Sequence, residues 1–295
     1  MSAINAQSFA ALPKSKLTNK PVLHFAHANG MPSAVYEPLF IGLTDFFTIE
    51  YVAMLGNHPD YPVDNHWRSL TQQVIDSVQV ACNKHGVEQI VALGHSLGGM
   101  CTLQALYRAP KYFSQAVLLD PPWLYGKISL LWHLAKTTDR LPLMNHRLMD
   151  KLSPAGISKH RRDVWDSRAE AHNKLGGKGF FKNFDERSFA GYIEHGLHER
   201  ADGKVTLAIP KSSEVAVFRT NPSLYWLTPN RAPKPPVTLL IGEESIFLKR
   251  RFPQQIRSRL GIEYQIHKGG HMFPLEHPKS VAQRVLALIV QQVSV

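Results

Sequence analysis

The chain has 295 residues, 44% hydrophobic and 19% charged, a composition that supports a sizeable core and excludes disorder. Its two cysteines, Cys82 and Cys101, exclude a disulfide framework, and no Cys/His spacing matches a structural zinc site. The net charge of +11 is carried by dispersed Lys and Arg with no nucleic-acid-binding motif; this disfavours nucleic acid and leaves weak association with an anionic membrane surface open. Half of the Lys and Arg residues fall between Lys127 and Arg219, so the asymmetry belongs to one region.

Residues 1–20 lack the continuous apolar h-region of a signal peptide, and no later stretch reaches the ~20 apolar residues of a membrane-spanning helix. A soluble cytoplasmic protein in a reducing compartment is the expectation. Val22–Ala26 is apolar, contains β-branched Val and ends at a turn cluster, which predicts a buried strand. Phe47–Met54 predicts a second strand, followed by a loop rich in Gly, Asn and Pro. Trp67, Leu70, Val74, Val78 and Ala81 recur at helical spacing behind the capping residues Asp64 and Asn65, and the helix stops at Gly86. Ile90–Leu93 is a short apolar strand, Leu97–Arg108 a helix, and Ala116–Leu119 another buried strand. From Trp123 to Trp226 helical character dominates without strand–helix alternation. Alternation resumes with strands at Val237–Ile241 and Glu263–Ile266 and helices at Arg250–Leu260 and Ser280–Val293.

Short apolar strands alternating with helices imply a mostly parallel sheet covered on both faces. The domain reading is a body formed by residues 1–122 and 232–295, interrupted by a helical cap over 123–231.

The segment Gly94-His95-Ser96-Leu97-Gly98-Gly99 lies between a strand and a helix, the setting of a nucleophile elbow. Ser96 would stand at a helix amino terminus, where dipole and free amides favour developing negative charge. A serine hydroxyl needs a base. His271, in Lys268-Gly269-Gly270-His271, follows a strand late in the chain and fits that role. The oxyanion of an acyl-transfer intermediate needs two donors. The backbone amide of Leu97 is one, and the amide of Asn29, in the turn His27-Ala28-Asn29-Gly30, is the other. His27, His95, Trp123 and Met272 stand next to these positions and are the expected substrate-binding residues.

On these motifs, together with Leu23–Gly30, the chain resembles the α/β-hydrolase superfamily, in particular its serine esterases and lipases with an inserted cap. The likeness covers roughly residues 20–122 and 232–293 and implies an α/β-hydrolase fold, no cofactor and no metal. It implies ester cleavage through an acyl-Ser96 intermediate with His271 as base and then acid. Thioester, amide or C–C cleavage at the same site, and a non-catalytic binding protein on the same fold, are the alternatives.

One position departs from the family pattern. Where the acid usually follows the penultimate strand, this chain has Ile241-Gly242-Glu243-Glu244-Ser245. Asp120, at the tip of the preceding sheet strand, is the preferred acid, with Glu244 or Glu243 as alternatives. Aromatic and aliphatic residues of the inserted region, among them Leu124, Trp132, Phe180 and Phe181, either pack the cap or wall an acyl pocket. His160-Arg161-Arg162 reads as a solvated face.

Overall fold

The computed structural model describes residues 20–141, 144, 146–225 and 231–293. The amino-terminal residues 1–19 and Trp226, which bounds the helical region, lie outside the described residues. In chain order, β1 (Val22–Ala26), α1 (Glu37–Ile41), β2 (Thr48–Tyr51), α2 (Arg68–His85), β3 (Ile90–His95), α3 (Leu97–Arg108) and β4 (Phe113–Leu119) form the first half of the body. The inserted region carries α4 (Lys127–Thr138), α5 (Arg147–Leu152), α6 (Ala155–His160), β5 (Val164–Trp165), α7 (Arg168–Leu175), α8 (Glu186–His195), β6 (Leu197–Glu199), β7 (Val205–Leu207) and α9 (Lys211–Thr220). The body is completed by β8 (Val237–Gly242), α10 (Ile246–Lys249), α11 (Phe252–Leu260), β9 (Glu263–His267), α12 (Phe273–Glu276) and α13 (Pro278–Val293).

The body sheet has the order β2-β1-β3-β4-β8-β9, with every pairing parallel. Side chains alternate across it. Ala26, Ala92, Leu118 and Ile241 join α2, α3 and α11 on one face. Phe25, Leu93, Leu119 and Leu240 join α1, α12 and α13 on the other. Because both faces are covered, the central strands β1, β3, β4 and β8 are buried almost throughout, which is why they read as short continuous apolar runs.

The helix ends have local causes. The Asp64 carboxylate accepts from the amide of Ser69 at 3.0 Å, and Gly86, at φ 63°, closes α2 in the left-handed conformation. The helix expected over Arg250–Leu260 starts instead at Phe252, as α11, because Arg251 adopts φ 60° and separates it from the short α10 that precedes it. The inserted region also corrects an expectation: it is not purely helical, since β5, β7 and β6 form a small antiparallel sheet. Strands of two or three residues are too short to show an alternating pattern. Among the described residues no helix is long and apolar enough to cross a membrane.

Candidate active site

Ser96 stands between β3 and α3 with φ 51° and ψ −114°, a conformation that costs a non-glycine residue energy and lifts its side chain out of the turn. The turn closes only because of its glycines. A Cβ on Gly98 would collide with the carbonyl of Ala26 at the end of β1, and one on Gly94 would sit 2.7 Å from the carbonyl oxygen of Gly98. The amide of Gly98 donates to the His27 carbonyl at 2.9 Å, locking the elbow against the loop after β1.

Three side chains from three strand ends line up. The Ser96 hydroxyl donates to His271 Nε2 at 2.9 Å, and His271 Nδ1 donates to Asp120 Oδ2 at 2.6 Å. Asp120 is fully buried at the tip of β4. Its Oδ2 also accepts from the Ser245 hydroxyl at 2.7 Å, and its Oδ1 from the amide of Gly242 at 3.3 Å. Ser245 is therefore a donor to the acid rather than a gap in the site. Glu243 and Glu244 are exposed, and no contact joins them to His271 among the described residues. The Phe247 ring meets the His271 ring edge-on at 5.5 Å.

Asn29 and Leu97 both line the cavity above Ser96, and neither backbone amide donates to another group among the described residues. A hydrogen-bond chain braces this loop. The Ala28 amide donates to Tyr36 Oη at 3.3 Å, the Tyr36 hydroxyl to His95 Nδ1 at 2.7 Å, and His95 Nε2 to the carbonyl of His271 at 2.9 Å. His27 Nδ1 donates to the Ala28 carbonyl at 2.7 Å while Nε2 accepts from the Leu55 amide at 2.6 Å. Burial lowers the pKa of His27 to about 4 and that of His95 well below its usual value, so both rings are neutral struts.

Ser96 opens onto a cavity of about 610 Å³. Met31, Leu124, Trp132, Val217, Phe218 and Phe247 give it an apolar wall, and the exposed Phe180, Ile157 and Ile246 stand among its lining residues. Met272 is among its lining residues. His27, His95 and Trp123 are not, which corrects their assignment to substrate contact: the two histidines are fully buried struts, and Trp123 packs against Tyr125 and Tyr225. Phe181 likewise packs inside the insertion, against Phe184 and Tyr192.

The solvated-face reading of His160-Arg161-Arg162 holds for Arg162, which pairs with Glu170 at the surface, but not for Arg161. Arg161 lines the cavity and pairs with the buried Glu214 at 2.8 Å. Glu214 also accepts from the Ser158 hydroxyl at 2.9 Å, and its backbone carbonyl accepts from Asn29 Nδ2 at 3.0 Å. This cluster ties α6 and α9 of the insertion to the loop after β1. Nearby, the buried Lys136 donates to the carbonyl of Asn221 at 2.7 Å beside His66. Burial, with Arg140 adding repulsion, pulls its pKa down to about 7.

Tyr36 and Glu214 were not singled out in the sequence, and Ser245 was marked only as a departure from the usual acid position. Ser245 carried the only available signal, a small hydroxyl residue where an acid was expected. Tyr36 and Glu214 reach the site from distant segments with no motif of their own.

A family model described as the alpha/beta hydrolase family matches residues 25–284, and the chain belongs to that family. A search of curated proteins found no match. Among solved structures, an E-2-(acetamidomethylene)succinate hydrolase is 18% identical, with 92% of each chain covered and a TM-score of 0.66. A peroxisomal α/β-hydrolase of Saccharomyces cerevisiae is 16% identical, covering 94% of this chain and 77% of its own, at a TM-score of 0.71. A thioesterase domain from the curacin biosynthetic pathway is 16% identical, covering 90% and 91%, at 0.63. At these identities the likeness is one of fold.

Proposed function

We propose that the protein is a serine hydrolase that cleaves a carboxylic ester carrying an apolar acyl group. The observation that carries this reading is the continuous line Ser96–His271–Asp120, at 2.9 and 2.6 Å, beside an apolar cavity whose lining includes Ser96, His271, Asn29 and Leu97. In this mechanism His271 takes the Ser96 proton as Oγ attacks the ester carbon. Asp120 holds the imidazole tautomer and stabilises the imidazolium. The amides of Asn29 and Leu97 receive the oxyanion, each such donor contributing ~2.7–4 kcal/mol of barrier lowering. His271 then returns the proton to the leaving alcohol. Water, activated by the same imidazole, frees the acid and restores Ser96.

A panel of p-nitrophenyl esters of rising acyl length tests the reading. Hydrolysis by the native protein should fall by roughly 10⁴–10⁶ in turnover in Ser96→Ala. Undiminished hydrolysis by that variant, or none by the native protein, overturns it. Stoichiometric labelling of Ser96 by a fluorophosphonate separates an enzyme from a binding protein on the same fold, because an unactivated serine reacts poorly.

A further inference from the structure

A second cavity, of about 690 Å³ and open to solvent, has a lining that continues that of the first along the chain. Two stretches of chain pass from one to the other without a break. Leu124 lines the catalytic cavity and Tyr125 the second; Arg250 lines the catalytic cavity and Arg251 the second. The two linings therefore run on from one another beside α10, the turn capped by Ser245 that sets Phe247 against His271.

Their chemistry differs sharply. The catalytic cavity is mostly apolar, and its carboxylate, Glu214, is already held by Arg161. The second cavity is lined by Lys127, Arg251 and Arg259 and by the amide and hydroxyl groups of Gln254, Gln255 and Ser258, with no acid in its wall. Among the described residues none of these three cations has a carboxylate within 4.0 Å, nor has the adjacent Arg250. Some cations elsewhere do have partners: Arg219 with Asp150, Lys204 with Asp166, Lys211 with Asp163 and Arg257 with Glu263. The nearby Glu243 and Glu244 line neither cavity. Like charges converging on a concave surface without counter-charge repel one another and create a field for an anion of more than one charge.

From this juxtaposition we infer that the substrate is bipartite: an acyl group in the catalytic cavity, joined to an alcohol or thiol whose phosphate groups lie in the Lys127–Arg251–Arg259 groove. The inference rests on Ser96 acting as an acyl-transfer nucleophile. For a thioester the balance is simple. Ser96 Oγ bonds to the acyl carbon, the carbon–sulfur bond breaks, and His271 returns its proton to sulfur. Water then releases the carboxylic acid. The groove takes no covalent part; it binds the leaving group.

Two measurements test it. In the first, calorimetry at low salt follows binding of coenzyme A to Ser96→Ala. Coenzyme A should bind, and adding Lys127→Gln, Arg251→Asn and Arg259→Gln should weaken it about tenfold or more, as expected for charge-assisted hydrogen bonds. Asn is used at position 251 because it tolerates the left-handed backbone found there. In the second, hexanoyl-coenzyme A is compared with hexanoyl-N-acetylcysteamine, which carries the same acyl group on a neutral thiol. The KM of the phosphate-bearing substrate should be about tenfold lower or more, and the ratio should collapse toward one in the triple variant. Absence of coenzyme A binding, binding indifferent to the triple substitution, or equal KM values in the native protein overturn the inference. So does sedimentation with phosphatidylglycerol vesicles that the triple variant abolishes while coenzyme A does not bind, since the groove would then serve a lipid headgroup. The calorimetric arm needs no turnover, so its failure is distinct from a failure of the hydrolase reading.

Discussion

Asp120 receives hydrogen bonds from His271, Ser245 and the amide of Gly242, and it is fully buried. A carboxylate removed from water this completely is tolerable only when such donors replace its hydration. Asp120→Asn preserves shape but favours the wrong imidazole tautomer, so turnover should fall on the order of 10⁴-fold with little change in folding; steady-state kinetics and circular dichroism check the two halves. Lys136 is the opposite case. It is buried beside His66, with Arg140 adding repulsion, and no carboxylate pairs with it among the described residues. Its pKa is about 7 in the folded protein against 10.5 for the free side chain. Between those values the unfolded chain binds more protons than the folded one, so stability rises with pH across that window. The destabilisation is complete below pH 7 and gone above 10.5. Lys136→Met, which keeps the length of the side chain without its charge, should raise the melting temperature at pH 7. The gain should shrink as pH approaches 10, and a gain independent of pH would count against this account.

At the scale of elements, sequence pattern served best where one strand or helix carries its own signal. β1 and α3 fall where the apolar run and the helical spacing place them, because both faces of the central strands are buried and the elbow glycines mark the turn. β5, β6 and β7 were not legible: they are too short to show a period and exist by pairing with one another. The break at Arg251 was also hidden, since a left-handed arginine has no compositional mark. Elements also cooperate through bonds that no single segment announces. The turn carrying Tyr36 links the loop after β1 to the tip of β3, and His95 extends the link to the loop carrying His271. Tyr36→Phe cuts this chain without altering the cavity wall. Its kcat should fall about tenfold while KM changes by less than about twofold, the mark of an interaction felt mainly in the transition state. A rise confined to KM would place Tyr36 in substrate binding instead.

Over the whole molecule, the body supplies Ser96, Asp120, His271 and the amides of Asn29 and Leu97, whereas much of the cavity wall comes from the insertion. That division explains what could be read in advance. The members of the proposed triad sit at strand ends with fixed neighbours in sequence, so local context picks them out. The wall is assembled from α4, α5, α6 and α9, whose side chains meet only after folding, and so His27, His95 and Trp123 were assigned to substrate by proximity in sequence alone. The basic asymmetry changes in the same way: some cations of the insertion have carboxylate partners, whereas Lys127, together with Arg251 and Arg259 of the body, lines a groove with no acid in its wall. The contact between Asp120 and Ser245 has one more consequence. β4 and β8 are adjacent, and their tips deliver two side chains 2.7 Å apart to the same ring nitrogen's side of His271. One seat for negative charge thus lies within reach of two chain positions, 120 and 245. Exchanging the residues, Asp120→Ser with Ser245→Asp, should recover at least about tenfold of the turnover lost in Asp120→Ser alone. A double variant no better than the single would mean that only one of the two positions fits the seat.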